Sequence, residues 1–353
     1  MESPDPVVSV VMAVYNERPY LEGAVRSILH QTFEDFEFII VDDGSTDGSG
    51  EVLERFAETD DRIRLTHQEN QGISRSRNRG LSMAKGRYIA VMDGDDVSKP
   101  RRLGRQVQFL RTHPEVGVVG TKIKYIDADG QVTGEWPLPT DPDVTSWKLL
   151  FNACLCHPSV MVRRSLLEEL GGYAEWMPVG LDYELWTRAV QVSRLANLPE
   201  TLLKLRRHEG AVTVSRRTEQ IRLCGRAAVS LHRALLGSEA EAQKTAFLVW
   251  METKGIDRAV EETGVRDFAA LHEYVRALYK AWTRQLRSDG SNVRVRQHAL
   301  VKLDALAEQV AEQEGWARGA VHKLRARGMA PGREIVPWGL RAIRRRIAQS
   351  PIR

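Results

Sequence analysis

The residue pattern predicts an α/β protein: a mostly parallel sheet with helices on both faces, followed by a C-terminal α-helical region. Three observations carry this. Up to Met92, short apolar runs alternate with segments of helical spacing. Two of those runs end directly in acidic clusters, Asp42-Asp43 and Asp93-Gly-Asp-Asp96. Beyond about Glu219 the apolar spacing is helical almost throughout, and the composition turns rich in Ala, Arg, Glu and Gln. Strands alternating with helices of this length imply βαβ units with right-handed crossovers.

The first strand is expected over Val7 to Val14, followed by a helix over Tyr20 to Leu29 with Leu21, Val25, Ile28 and Leu29 on one face. Phe36 to Val41 reads as the second strand, and Val52, Leu53 and Phe56 mark the second helix. Ile63 to Thr66, Ser74 to Ala84 and Arg87 to Met92 continue as strand, helix and strand. Unbroken apolar runs bounded by Gly and polar residues fit buried parallel strands.

Leu103, Val107 and Leu110 mark a further helix, and Val116 to Val119 and Lys122 to Ile126 are expected as two strands. Trp136 to Pro142 reads as a Pro-rich loop, Ser159 to Val162 as a strand, and Ser165 to Leu170 as a helix stopped by Gly171-Gly172. Tyr183 to Val190 is again helical. In the C-terminal region, Ile221, Ala228, Leu231 and Leu235 share a face, as do Phe268, Leu271, Val275, Leu278 and Trp282, and then Leu300, Leu303 and Val310. The expected domains are 1–218, divided at about 125 into two halves, and a helical 219–353.

The bulk properties fit a folded chain. It has 353 residues, 42% hydrophobic and 28% charged, with a net charge of +4. No apolar run approaches the roughly 20 residues of a membrane-spanning helix, and the first residues have neither the basic nor the apolar part of a secretory signal. Three cysteines suggest no disulfide framework, so a reducing cytoplasmic setting is expected. Cys154-x-Cys156-His157 has no second ligand pair for structural zinc, and a half-buried strand is the expected reading. From Pro331 to Arg353 six Arg residues face one Glu. Within this tail, 336–347 places Val336, Leu340, Ile343 and Ile347 on one helical face. Two readings stay open for it: a solvated basic helix, or peripheral contact with the inner face of a membrane.

In an open α/β sheet, ligands bind outside the carboxyl ends of the strands, so both Asp clusters should line one crevice. Carboxylates sharing a crevice repel unless a cation joins them. All-oxygen ligands suit Mg²⁺ or Mn²⁺, which complete their shell with water and substrate phosphates. On an extended segment, Asp93 and Asp95 point to one side.

Several motifs occur in order: Val8-Ser-Val-Val-Met-Ala-Val-Tyr-Asn-Glu17, Gln31-Thr-Phe33, Val41-Asp-Asp-Gly-Ser-Thr-Asp47, Asn70-Gln-Gly72, Arg77-Asn-Arg-Gly80 and Met92-Asp-Gly-Asp-Asp96. His157-Pro-Ser-Val-Met-Val-Arg-Arg164, Gly171-Gly-Tyr173 and Leu181-Asp-Tyr-Glu-Leu-Trp-Thr-Arg188 follow. Together they resemble a family 2 glycosyltransferase with the GT-A fold, over residues 6 to 216 or so. The resemblance implies that the loop Ala13 to Glu17 contacts a nucleotide-sugar, with Ala13, Tyr15 and Glu17 lining it and Tyr15 stacking on the base. It implies that Asp43 reads a uracil-type N–H, which favours a UDP-sugar, that Asp93 faces the ribose and that Asp95 binds Mn²⁺ or Mg²⁺. Arg77 and Asn78 are expected at the donor site, and His208, after Arg206-Arg207, near the diphosphate or metal.

Asp182 matches the family's base, which removes the proton of the acceptor hydroxyl in an inverting displacement. The bland reading of Asp182 is the N-cap of a helix starting at Tyr183. Asp42 and Asp96 are expected in turn and capping roles. Two departures stand out: Leu181 replaces a frequent acid, and Ala13 a frequent Pro. Gln191-Val-Ser-Arg-Leu195 lacks the Trp of processive synthases, so a non-processive enzyme is expected. The implied activity is transfer of a single sugar to a glycan or lipid-linked acceptor in envelope polysaccharide synthesis, without a nucleic-acid partner. A sugar-phosphate nucleotidyltransferase is disfavoured, because Ala13 to Asn16 lacks the Gly-rich loop of that class. A catalytically silent module is disfavoured because Asp95 and Asp182 are both present.

Overall fold

The computed structural model describes residues 5–208, 216–285 and 292–314, together with 319, 322, 323 and 326. The basic segment 336–347 and the whole of 327–353 lie outside the described residues. Four parallel strands form the first half of the sheet: β1 (Val8–Val14), β2 (Phe36–Asp42), β3 (Ile63–His67) and β4 (Tyr88–Asp93). Helices α1 (Arg18–Leu29), α2 (Ser49–Ala57) and α3 (Ile73–Met83) connect them. Every residue of β1 and β2 is buried, as expected of parallel strands covered on both faces.

The strand order is β3-β2-β1-β4, so the chain reverses direction across the sheet between β1 and β4. That reversal opens a crevice at the carboxyl ends of those strands. Register fixes what faces it. Ala13 pairs with Val41 on one side and Asp93 on the other, and Val14 pairs with Asp42. The loop after β1 is therefore flanked by both Asp clusters.

The second half of the sheet is mixed, where the residue pattern predicted mostly parallel strands. It contains β5 (Val97–Ser98), β6 (Val116–Ile126), β7 (Val132–Trp136), β8 (Met161–Arg163) and β9 (Arg194–Arg206). Strand β8 runs antiparallel to both β4 and β6, β7 antiparallel to β6, and β5 antiparallel to β9, while β6 and β9 are parallel. The two strands expected within 116–126 are one continuous β6. Strand β9 was not expected at all, because Pro199-Glu200 interrupts its alternation. The structure absorbs that interruption as an irregularity: Thr121 pairs with Leu198, and the next pair is Lys122 with Thr201.

Helices α4 (Arg102–Thr112), α5 (Pro142–Leu149), α6 (Arg164–Leu170) and α7 (Leu181–Val192) complete this part. Helix α5 replaces the end of the expected Pro-rich loop. Asp141 caps it, accepting from the backbone N–H groups of Asp143 and Val144, and Pro142 takes the first turn. Cys154 and Cys156 are free thiols in a buried loop rather than on a strand.

The C-terminal helices are α8 (Arg217–Leu236), α9 (Ala242–Lys254), α10 (Ile256–Thr263), α11 (Phe268–Gln285) and α12 (Asn292–Glu314). They share one apolar cluster with α5, α7 and one face of the sheet, including Trp147, Trp186, Leu231, Leu278 and Leu303. Trp147 meets Tyr279 and Trp282 edge-on, with ring centres 5.8 and 5.7 Å apart. His232 Nε2 lies 2.9 Å from the Leu150 carbonyl, a polar tie across the same contact.

Candidate active site

The loop after β1 is stitched to the loop after β2. Asn16 sits at φ 57°, a left-handed conformation that Asn tolerates better than most residues. Its Oδ1 accepts from Thr46 N at 2.8 Å, and its own N–H donates to Ser45 Oγ at 3.0 Å. Glu17 N donates to Ser49 Oγ, and Arg18 N to Asp47 Oδ2. These bonds hold the loop that carries Tyr15, the expected stacking residue, which is 48% exposed.

Asp42 and Asp43 look inward. Asp42 accepts from Ser45 N and pairs with His67 Nδ1 at 2.9 Å, the turn role expected of it. Asp43 is buried; Oδ1 accepts from Gln68 Nε2 and Gln71 N, and Oδ2 from Gly72 N. The carboxylate thus clamps the loop that leads into α3. The base-reading role expected of Asp43 would share the carboxylate with this structural task.

Glu17, Asp93, Asp95 and Asp96 gather on the other side of the loop. Burial and the charges of Asp95 and Asp93 push the Glu17 carboxyl well above its ordinary range. Burial and Asp93 raise Asp95, while His208 partly opposes the shift. Asp96 is raised well above its range by burial, Asp95 and Asp93. Glu17 Oε2 and Asp96 Oδ2 are buried with no hydrogen-bond partner. A Cβ on Gly94 would collide with Glu17 Oε2, so only glycine lets Glu17 approach this closely. Mutual repulsion and orphaned carboxylate oxygens fit a divalent cation at Glu17, Asp93 and Asp95. Among the described residues these groups do not close into a three-ligand cage, which suits an ion that takes its remaining ligands from water and phosphate.

Two strands bring basic residues to this cluster. Pairing of β5 with β9 sets the end of β9 beside Asp95 and Asp96. Arg206 N donates to Asp96 Oδ1 at 2.8 Å and Arg206 Nε to the Asp95 carbonyl at 2.9 Å. His208 Nε2 lies 3.1 Å from Asp95 Oδ2, and its ring packs on Tyr20, whose other neighbour is the Arg206 guanidinium. Asp96 is thus a tie to β9 rather than a cap of its own turn.

Arg77 on α3 donates to Asp93 Oδ1 at 2.7 Å. Burial works against its charge, but Asp93, Tyr173 and Asp182 outweigh burial and raise its pKa. Asp182 acts on the same guanidinium through its charge. It sits one residue inside α7, whose N-cap is Gly180 at φ 72°, so the bland capping reading does not hold. Burial raises its carboxyl, while Tyr183 N–H and the Arg77 charge oppose the shift. Behind it, His157 Nε2 meets Tyr173 Oη at 2.9 Å, and Arg188 pairs with Glu184 and bonds the carbonyls of Leu170 and Gly172.

Asn78, expected at the donor site, has its amide engaged with the backbone of Tyr173. Its Nδ2 donates to the Tyr173 carbonyl and its Oδ1 accepts from Tyr173 N, so both ends position the loop that carries Tyr173. Ala13 is buried on β1 between its two neighbouring strands, which leaves only its backbone near the crevice. The residue pattern gave no sign of Trp176. It is 54% exposed in the loop before α7, with Arg226 of α8 lying 5.5 Å from its ring centre.

Comparison with known proteins follows the same lines. Residues 9–171 match the profile described as Glycosyl transferase family 2. The putative glycosyltransferase EpsE of Bacillus subtilis is 38% identical over 211 residues, covering 58% of this chain and 75% of the relative. The O-antigen biosynthesis glycosyltransferase WbnJ of Escherichia coli is 32% identical over 207 residues, covering 57% and 80%.

The chain belongs to glycosyltransferase family 2.

As a family 2 glycosyltransferase it is an enzyme, and its α/β part has the GT-A fold with helices appended. The solved structure of TarS 1-349 from S. aureus, 17% identical, covers 93% of this glycosyltransferase and 94% of its own chain with a TM-score of 0.56. That likeness takes in the C-terminal helices as well as the sheet. Among the described residues of the glycosyltransferase no helix is long and apolar enough to cross a membrane.

Proposed function

We propose that this glycosyltransferase is metal-dependent and inverting, moving one sugar from a nucleotide-diphosphate sugar to a glycan or lipid-linked acceptor. The observation that carries the reading is Arg77, which bonds Asp93 of the carboxylate cluster and lies within the field of Asp182. It brings the expected donor site and the expected base into one electrostatic unit.

Glu17, Asp93 and Asp95 would hold Mn²⁺ or Mg²⁺. Bound there, the ion acts as a Lewis acid for the charge that develops on the departing diphosphate. Tyr15 offers its open ring to the base, and His208 stands beside Asp95 as a further donor to phosphate oxygen. Asp182 takes the proton of the acceptor hydroxyl. The hydroxyl oxygen then bonds the anomeric carbon from the face opposite the diphosphate, which leaves with the electrons of the broken C–O bond. Burial, by raising the Asp182 carboxyl, makes it a better proton acceptor than a solvated Asp.

A UDP-sugar is the favoured donor. TarS has been solved with UDP and with UDP-GlcNAc, and a mannosyltransferase from Pyrobaculum calidifontis with GDP-Man and Mn²⁺. Their likeness supports a nucleotide-sugar donor without fixing the nucleotide. The name of WbnJ, an O-antigen biosynthesis glycosyltransferase, supports a place in surface polysaccharide synthesis. A screen of UDP-, GDP- and dTDP-sugars with Mn²⁺ or Mg²⁺ tests the reading. Metal-dependent turnover of one donor that Asp182→Asn abolishes supports it. Equal turnover in excess chelator, or retained configuration at the anomeric carbon of the product, would refute it.

A further inference from the structure

We propose that His272, Glu273 and His322 form a zinc-binding site that clips α11 to the helical residues following α12. Each offers one ligand atom, and these atoms all lie within 4.8 Å of one another. Glu273 Oε1 is 3.7 Å from His272 Nδ1 and 3.9 Å from His322 Nδ1. Tetrahedral zinc with bonds of about 2.0–2.1 Å sets its ligand atoms roughly 3.3–3.4 Å apart, so small side-chain rotations would close the site.

The two imidazoles supply the second argument. His272 is fully buried, and neither ring nitrogen has a hydrogen-bond partner; His322 is 8% exposed and its Nδ1 has none. Buried polar atoms are nearly always satisfied, and one ion would partner the orphaned Nδ1 atoms of both rings. The rings stand almost perpendicular, with centres 4.6 Å apart. An ion at Nδ1 leaves the proton of His272 on Nε2.

Arg276 pairs with Glu273 Oε2 at 2.7 Å, on the carboxylate oxygen not facing the imidazoles. It orients Glu273 as outer partners commonly orient ligating carboxylates, although its charge weakens attraction for a cation. Two nitrogens and one carboxylate oxygen, with a fourth position for water, suit zinc. The carboxylate cluster at the donor site offers only oxygens, so the two sites differ in chemistry.

The physical outcome would be a cross-link between elements distant in sequence. Gly319, His322, Lys323 and Ala326 have the spacing of one helical face. A Cβ on Gly319 would strike Ala311 and the Ala307 carbonyl, which places that face tightly on α12. A metal bound by the folded state alone raises stability in proportion to its occupancy.

The test uses the full-length, untagged protein stripped with chelator, carrying Asp95→Ala to weaken the oxygen-only site. Titration with Zn²⁺ followed by calorimetry, and with Co²⁺ followed by visible absorption, should give one equivalent bound. Binding should weaken at least about tenfold in His322→Gln and in Glu273→Gln. Zn²⁺ should also raise Tm in the parent and not in His322→Gln. His272→Gln serves as a third variant where circular dichroism shows that it folds. Absence of binding in the Asp95→Ala protein, or binding unchanged by both His322→Gln and Glu273→Gln, overturns the proposal.

Discussion

Arg77 donates to Asp93 at 2.7 Å, and its charge also acts on Asp182. One buried guanidinium therefore joins the carboxylate cluster at the end of β4 to the carboxylate at the start of α7. These two groups belong to different halves of the chain, and α3 supplies the link. Anything that alters Arg77 should be felt on both.

Asp182→Asn should fold and bind donor as the parent does, within about twofold, while kcat falls by roughly 10²–10⁴, the usual contribution of a positioned base. Fluorescence titration of nucleotide-sugar and steady-state transfer assays measure the two quantities. Normal transfer by this variant would remove Asp182 from the mechanism.

Arg77→Gln should move the acid limb of the kcat–pH profile. Arg77 opposes the rise of the Asp182 carboxyl, so its loss lets that carboxyl hold its proton to higher pH. A base must be deprotonated to act, and the limb should shift upward. Losing the ion pair with part-buried Asp93 should also lower stability, visible in chemical denaturation. Lys at this position should restore the charge and part of the profile.

The carboxylate cluster should make metal-free stability depend on pH in an unusual direction. Glu17, Asp95 and Asp96 all hold protons more tightly folded than unfolded. Such groups favour the folded state below their unfolded values, and that contribution is lost as pH rises through the raised, folded ones. Mn²⁺ should consequently raise Tm more at about pH 7.5 than at about pH 5.5, because protons compete with the ion for Glu17 and Asp95 as the pH falls. Gly94→Ala, which forces Glu17 aside, should reduce the Mn²⁺ shift. Equal shifts at both pH values would contradict the mutual repulsion.

His232 should contribute the opposite slope. Burial lowers it from 6.5 to about 4, so the unfolded state binds the proton first and stability is lost as pH falls from 6.5 toward 4. The full effect is about 3 kcal/mol. His157, held well below its ordinary value by burial, acts in the same sense. The difference in Tm between the parent and His232→Gln, followed across this range, isolates the His232 part. A difference that does not change with pH would show that His232 titrates normally.

Much of the fold was legible along the chain, because a parallel βαβ half is built from contiguous apolar runs and short connections. The same locality makes Asp93, Asp95 and Asp182 readable, since each sits at a strand end or helix start within an ordered set of motifs. Strand β9 was hidden, because Pro199-Glu200 breaks its pattern and only pairing with β6 tolerates the irregularity. Asn78 looked like a donor contact, yet its partner is the backbone of Tyr173, on a loop far along the chain.

What the residues settled is which groups are at hand: an acidic cluster after β4, a further carboxylate at the start of α7, and strands that place the first at a sheet's carboxyl edge. Tertiary structure decided which groups meet. The contacts of His208 with Asp95, Arg206 with Asp96 and Arg77 with Asp93 join segments whose separation no local periodicity encodes. Packing of the C-terminal helices on Trp147 is of the same kind. Local spacing records which face of an element is apolar, whereas charge pairing and shared burial depend on which elements the sheet order brings side by side.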